Sequence, residues 1–387
     1  MLLDAGRPGL RYNPIMSKID IQLPALSLSD YSVHVNAGLL ERLGEMVHQV
    51  APAPGCALIT DSVVAKLYGR QARDSLEQAG FKVTLFVFPA GESSKTTRTV
   101  EAAYDVLLPT RPERRSSVVA LGGGVVGDLA GFVAATLLRG VPFVQVPTTL
   151  LAAVDASVGG KVGVDHAAGK NMIGAFHHPR AVLMDVNTLR TLPKIEVQCG
   201  LAECVKHAII RDAGLFKFIG ANLPAIFDGN SHVLAELVAW NVRIKSAIVM
   251  ADPYEQGVRS LLNLGHTFGH ALETLAGYTG LKHGQAVGLG TLAASTMALN
   301  RGILDAASHI QIEKLLRDIG LLDIRPTVDI AAAVALMRGD KKVRDGRLRI
   351  VLPTSIGSAE IISDAGPDEI ATAFESITLP LIRGAGR

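Results

Sequence analysis

Cysteine is scarce: Cys56, Cys199 and Cys204 are the only three in 387 residues, and no two form a CxxC pair. An odd, unpaired set argues for a reducing compartment, the cytoplasm, and against a disulfide framework. Aromatic residues make up only 5%, with a single Trp, while apolar residues reach 48%. That Ala/Val/Leu/Gly-rich profile excludes disordered and fibrous chains and suits an α/β enzyme. Neither sign of charge dominates: Lys and Arg number 38, Asp and Glu 36. Bulk charge therefore draws the chain to neither nucleic acid nor a membrane surface, and an anionic substrate must be met by local basic residues. Charge, Gly or Pro interrupts every apolar run before it reaches membrane-spanning length. The first residues carry Asp4, Pro8 and Pro14 and lack the apolar centre of a signal peptide, so residues 1-16 read as a loose extension, with Met16 an equally good start.

What is present is an alternation. From Cys56 onward, CALIT reads as a strand, Ser62 to Ala79 as a helix, KVTLFVF as a strand and Thr96 to Leu108 as a helix. SVVALGGG runs from strand into glycine loop, followed by a helix from Val125 to Leu138 and the strand PFVQVP. This rhythm implies right-handed crossovers and a parallel sheet of the dinucleotide-binding style. After about Pro193 helical patterns take over, at residues 197–210, 233–250, 261–275, 286–300 and 306–319. In KKVRDGRLRIVLP, Asp345-Gly346 between alternating residues signals a hairpin. No repeat or low-complexity segment is found. The expected architecture is an α/β, Rossmann-like N-terminal domain (17-193) and a mainly α-helical C-terminal domain (194-387).

Residues 261–288, LLNLGHTFGHALETLAGYTGLKHGQAVG, hold His266, His270 and His283 in a mostly apolar run. His266 and His270 are four apart and share one side of a helix, as two metal ligands would. A lone His is more often a core residue satisfied by backbone carbonyls. Three so close together, each beside a Gly that permits near approach, favour a metal site. The nearest carboxylate candidate is Glu203 in GLAECVKHAII, and a carboxylate with two or three imidazoles suits zinc with an open position for substrate.

Gly122, Gly123 and Gly124 in ALGGGVVGDLAGF sit between a strand and a helix, where backbone N–H groups and the helix N-terminus attract a pyrophosphate. A plain tight turn is the competing reading, since the spacing is not GxGxxG. Asp61 ends the first strand, placed for a ribose hydroxyl, and Glu92 and Lys95 in PAGESSKT follow the second. VDASVGGKVGVDHAAGKNMIGAFHH adds Asp155, Lys161, Lys170 and Asn171, and Arg139, Lys206, Lys245, Arg259 and Lys341-Lys342 lie in apolar or Gly-rich surroundings. Any one of these cations is most simply a solvated or paired surface residue; together they invite an anionic ligand. A metal, a nucleotide loop and a phosphate-sized cationic pocket point to a redox or elimination enzyme acting on a phosphorylated polyol.

GESSKT, ALGGGVVGDLAGF, QVPTTLLAAVDASVGGK, GKNMIGAFH, GLAECVKH, LLNLGHTFGHALE, KHGQAVG and GDKK, in that order between Ser17 and Thr378, resemble the 3-dehydroquinate synthases, a sugar phosphate cyclase family. The resemblance implies a dehydroquinate synthase-like fold, a homodimer, NAD, and Zn2+ with Co2+ also accepted. It implies conversion of 3-deoxy-D-arabino-heptulosonate 7-phosphate to 3-dehydroquinate and phosphate, in the shikimate pathway, through transient oxidation by NAD, elimination, reduction and aldol closure. Carried over by position, it makes Glu203, His266 and His283 the metal ligands, and it turns His270 from a ligand into a substrate-side proton relay. Asp155, Lys161, Lys206 and Lys245 would act on the substrate, with Asn171, Arg259, Lys341 and, from the other subunit, Arg139 binding it. Asp61, Glu92, Lys95, Gly122, Gly123, Gly124, Asp128, Thr148, Thr149, Lys170 and Thr191 would hold NAD. Gln285 and Asp165 depart from the commonest pattern, which has Glu and Asn there. The rival readings are another sugar phosphate cyclase, a metal-dependent polyol dehydrogenase of the glycerol dehydrogenase type, and a non-enzymatic NAD-binding regulator. Valiolone-type cyclases typically lack the residue matching His270, and the regulator would be expected to have lost a ligand.

Overall fold

The computed structural model describes residues 30–277, 280–339, 343–344 and 347–379. The first half builds Ser32–Asn36 (β1), Leu43–Val50 (α1), Gly55–Asp61 (β2), Arg70–Gln78 (α2), Lys82–Phe88 (β3), Thr97–Leu107 (α3), Ser117–Gly122 (β4), Gly124–Thr136 (α4) and Phe143–Pro147 (β5). Lys161–His166 (β6) and Gly169–Phe176 (β7) form an antiparallel hairpin, and Ala181–Asp185 (β8) returns to the sheet. Six parallel strands lie in the order β1-β8-β5-β4-β2-β3. Strand periodicity explains the two layers of helices: Ala57, Ile59, Val118 and Ala120 pack under α3 and α4, while Leu58, Val119 and Leu121 pack under α1 and α2. The chain leaves β2 for β3 on one side and later crosses to β4 on the other. The carboxyl ends of β2 and β4, in register at Thr60 and Leu121, therefore flank the topological switch point.

The second half consists of Lys194–Arg211 (α5), Ala213–Phe227 (α6), Ser231–Ala251 (α7), His266–Leu275 (α8), His283–Asn300 (α9), Ala306–Ile319 (α10), Ile330–Gly339 (α11), Val343–Arg344 (β9), Arg347–Leu348 (β10), Ile350–Ser355 (β11), Ser358–Ile362 (β12) and Pro367–Glu375 (α12). Side-chain caps from Asp212, Asn230 and Asp305 start α6, α7 and α10. α5 and α9 are buried nearly all round, as helices at the centre of a helical layer must be. One core cluster runs from Val182 and Met184 of β8 through α5 to α9 and α12, so the sheet and the helices share apolar contacts.

Several elements differ from the expectations. β1, β6, β7 and β8 were not anticipated: β1 and β8 are only five residues long, and the β6–β7 hairpin is rich in Gly and charge. The helix expected over residues 261–275 begins at His266, since Gly265 adopts a left-handed φ of 77° and a 3-10 turn, Val258–Asn263, precedes it. Of the β11–β12 hairpin, the first strand takes in the IVLP of the KKVRDGRLRIVLP signal, whereas the second, Ser358–Ile362, was not anticipated. β9 and β10 pair antiparallel, while the expected turn at Asp345-Gly346 lies outside the described residues. Among the described residues no helix is long and apolar enough to cross a membrane.

Candidate active site

α5, α8 and α9 meet at Glu203. Two close approaches make this possible: a Cβ on Gly284 would lie 2.2 Å from Cys199 Cα, and one on Gly290 would lie 2.0 Å from the Gly265 carbonyl oxygen. Only glycine lets α9 press against α5 and α8 at these points. Glu203 is completely buried. Its Oε2 meets Lys206 Nζ, while Oε1 has no hydrogen-bond donor among the described residues. Oε1 instead faces Nε2 of His266 at 3.5 Å and Nε2 of His283 at 3.8 Å. The ligand-type atoms of these three residues lie within 4.8 Å of one another. A buried carboxylate oxygen without a donor is costly, and a divalent cation there would supply the missing partner.

Each imidazole is also held from behind. His266 Nδ1 lies 3.2 Å from the Leu264 carbonyl, to which it donates, and His283 Nδ1 donates to Glu273 Oε2 at 3.3 Å. Both arrangements leave Nε2 as the nitrogen that faces Glu203, the one a metal would take. Glu273 was not singled out from the sequence. It lies three residues after His270 on α8, is 4% exposed, and also meets Lys170 Nζ at 3.4 Å. Burial would raise its carboxyl, but the hydrogen bond and charge of His283, with Lys170 and His270, lower it to about 2. His270 stands edge-on to His266, ring centroids 5.5 Å apart, and groups with Glu273 and His283 rather than with Glu203. Gln285, one of the two departures, accepts the Lys282 N–H at 3.0 Å and so caps the helix that begins with His283, a task any carboxamide or carboxylate there performs.

Beside this cluster, Asp155 sits in a π-helical turn, residues 152–156, that aims it at α5 and α7. Lys245 Nζ donates to Asp155 Oδ1 at 2.6 Å, and Lys206 Nζ lies 3.9 Å from the same oxygen. Burial would raise the Asp155 carboxyl, but Lys245, Lys206 and His207 hold it well below the usual carboxylate range. Burial also lowers Lys245, whereas for Lys206 the charges of Glu203 and Asp155 outweigh burial and raise it. His207, also missed, is fully buried; burial and Lys206 push it down to about 3, so the ring is neutral. Its Nδ1 donates to Asn241 Oδ1 at 3.1 Å, and Asn241 is fixed in turn by donating to the Leu237 carbonyl. Nothing in the spacing of GLAECVKH separates this residue from an ordinary core histidine.

Arg259, 3% exposed, is placed by the Asp252 carboxylate, which accepts N–H bonds from Gln256, Gly257 and Arg259. Its guanidinium donates to the carbonyls of Pro253 and Gly159. Lys161, at the start of β6, pairs with Glu255. Thus Lys161, Lys170 and Arg259 all bridge the hairpin region and the helical half.

At the carboxyl edge of the sheet, Gly123 is the N-cap of α4 and offers no side-chain acceptor, leaving the helix N–H groups to an anion. Asp61 lies across the switch point, its Oδ1 accepting from Val63 and Val64. Thr148 N–H donates to the Gly122 carbonyl, and Thr149 Oγ1 caps the turn that leads to Asp155. Glu92 and Lys95 follow β3, and buried Lys95 Nζ reaches Asp128 Oδ2 of α4 at 2.6 Å and Asn171 Oδ1 at 2.5 Å. Thr191 Oγ1 meets Tyr68 OH at 2.7 Å. Arg139 is not brought to this edge. It lies beyond the far end of α4, in consecutive left-handed residues, Leu138 (φ 50°) and Arg139 (φ 67°). Lys341 lies outside the described residues.

A dinucleotide-type parallel sheet whose carboxyl edge adjoins a carboxylate–imidazole cluster in a helical layer defines an enzyme of the dehydroquinate synthase-like fold. Residues 85–199 match the family description 3-dehydroquinate synthase N-terminal, and residues 200–343 match 3-dehydroquinate synthase C-terminal. The chain belongs to the 3-dehydroquinate synthase family. A 3-dehydroquinate synthase from Symbiobacterium thermophilum is 44% identical over 350 residues, 90% of this chain and 98% of that one. Among solved structures, a 2-epi-5-epi-valiolone synthase from Streptomyces hygroscopicus subsp. jinggangensis, with NAD+ and Zn2+ bound, is similar at a TM-score of 0.84 and 29% identity, over 92% of this chain and 99% of that one. A 2-deoxy-scyllo-inosose synthase complexed with carbaglucose-6-phosphate, NAD+ and Co2+ shares the fold at a TM-score of 0.81 and 24% identity, over 89% of this chain and 96% of that one.

Proposed function

We propose that the chain converts 3-deoxy-D-arabino-heptulosonate 7-phosphate to 3-dehydroquinate and inorganic phosphate, with NAD and one divalent metal, zinc or cobalt, as cofactors. The observation that carries this reading is the donor-less Glu203 Oε1 facing the Nε2 atoms of His266 and His283, beside a buried cluster of two lysines on Asp155. When bound, NAD takes up and later returns a hydride, and the metal, held by Glu203, His266 and His283, polarises the substrate hydroxyl.

The chain's own groups do the rest. Asp155 fixes Lys245 and Lys206 so that they present N–H donors to substrate hydroxyls without conformational search. Lys245, lowered by burial, is the readier of the two to give up a proton. His270 relays a proton on the substrate side of the ligand cluster. Lys161, Asn171, Arg259 and Lys341 hold carboxylate and phosphate, and the cations stabilise charge as phosphate leaves. Asp61, Glu92, Lys95, the glycines 122 to 124, Asp128, Thr148, Thr149, Lys170 and Thr191 hold NAD. In this reading residues 17-193 form the dinucleotide domain and 194-387 the metal and substrate domain, in a cytoplasmic homodimer whose second copy supplies Arg139.

The test is phosphate release from 3-deoxy-D-arabino-heptulosonate 7-phosphate with catalytic NAD, before and after chelation and restoration of zinc. Zinc-dependent release, dehydroquinate as product and no net NADH support the synthase. Intact substrate with NADH accumulating on glycerol-like polyols would instead make the protein a polyol dehydrogenase.

A further inference from the structure

The β6–β7 hairpin loses its register between Val164 and His166, opposite Asn171. Asn171 there adopts a left-handed φ of 54°, a conformation that Asn tolerates better than most residues but at a cost. Three hydrogen bonds close a ring around it. The Asp165 backbone N–H donates to the Lys95 carbonyl at 2.8 Å, Lys95 Nζ donates to Asn171 Oδ1 at 2.5 Å, and the Asn171 N–H donates to Asp165 Oδ1 at 2.7 Å. Lys95 is also paired with Asp128 of α4, the helix that follows the glycine loop. Irregular ladders of this kind re-aim side chains beside active sites.

We propose that Asp165 is a positioning residue: its carboxylate clamps the Asn171 backbone so that the Asn171 side chain is preset for the phosphorylated substrate and tied, through Lys95, to the dinucleotide side. This rests on the reading of Asn171 as a substrate-binding residue. The clamp needs an acceptor oxygen and not a charge, so the two substitutions Asp165→Asn and Asp165→Ala separate it from general electrostatics.

The experiment is steady-state kinetics and NAD titration of both variants, with a double-mutant cycle through Asn171→Gly, which tolerates the left-handed backbone without a clamp. For Asp165→Ala the KM for 3-deoxy-D-arabino-heptulosonate 7-phosphate should rise about tenfold, the factor implied by releasing a left-handed residue, with kcat and NAD affinity changed less than about twofold. Asp165→Asn should keep KM within about twofold of the parent, and Asp165→Ala should add nothing further in the Asn171→Gly background. If Asp165→Ala does not fold, Asp165→Ser, too short to reach the Asn171 N–H, takes its place with the same expectation. An unchanged KM in Asp165→Ala beside a raised one in Asn171→Gly overturns the clamp alone. So does Asp165→Asn impaired as much as Asp165→Ala. An unchanged KM in Asn171→Gly overturns the substrate role of Asn171 and the proposal with it.

Discussion

Glu273 touches His283 from behind and is proposed never to touch the metal, yet it decides which nitrogen His283 presents. Removing its charge while keeping its shape, Glu273→Gln, is expected to weaken metal affinity about 10- to 100-fold, measured by competition against a chelator. Because its carboxyl is lowered to about 2 from 4.5, it stabilises the fold fully above pH 4.5, and that stabilisation is lost as pH falls toward 2. The urea midpoint of metal-free protein should therefore drop across that window, and less steeply in Glu273→Gln. His283→Ala should lose metal retention, whereas His270→Ala should keep the metal and lose turnover; equal metal contents in the two purified variants would sink the ligand assignment. Burial raises the thiols of Cys56 to about 12 and Cys199 to about 11. Neither should react with a thiol reagent at pH 8 until the chain is unfolded, and fast labelling of native protein would contradict the packing.

α9 carries the site by being pressed between two neighbours. In Gly284→Ala the new methyl would meet backbone at Cys199 Cα, 2.2 Å away, which cannot rotate aside, so α5 and α9 must part. A cost of about 1–3 kcal/mol in urea unfolding is expected, together with lower metal content because Glu203 and His283 ride on the two helices. Full stability and full metal content would show that the helices do not need this approach. The same helix shows what its sequence could and could not announce. Residues 286–300 are apolar and Gly/Ala-rich, which announces a buried helix, but its true first residue, His283, depends on the Lys282–Gln285 cap and on contact with α5.

α4 runs 13 residues from the glycine loop at the carboxyl edge back to the amino edge, a length of about 20 Å. Arg139, just beyond its end, stands at the opposite edge from Gly123, which is why a second copy is proposed to supply it. Mixed dimers test this directly. Arg139→Ala and His270→Ala subunits, each inactive alone, should regain about one quarter of parent activity after unfolding and refolding together, since half the dimers are mixed and each has one intact site. No recovery would place Arg139 in its own subunit's site or outside the reaction.

The alternation from Cys56 to Pro147 and the helical periods after Pro193 were legible because burial on two sheet faces and on helix stripes leaves its period in the residues themselves. The motifs likewise announced the family and a glycine loop between strand and helix, and the resemblance they carry implied the set Glu203, His266 and His283, whose ligand-type atoms packing brings within 4.8 Å of one another. The left-handed break at Gly265 and the Asp165 ring were hidden, since each depends on a partner well away in the chain, and the second strand of the β11–β12 hairpin was hidden because its turn, Ile356-Gly357, carries no Asn-Gly or Asp-Gly signal. So were Glu273 and His207, which as residue types are indistinguishable from a surface carboxylate and a core histidine. Local periodicity is a property of neighbours along the chain. Which nitrogen a histidine presents, and which buried oxygen is left without a donor, are set by atoms that only packing brings within 4 Å.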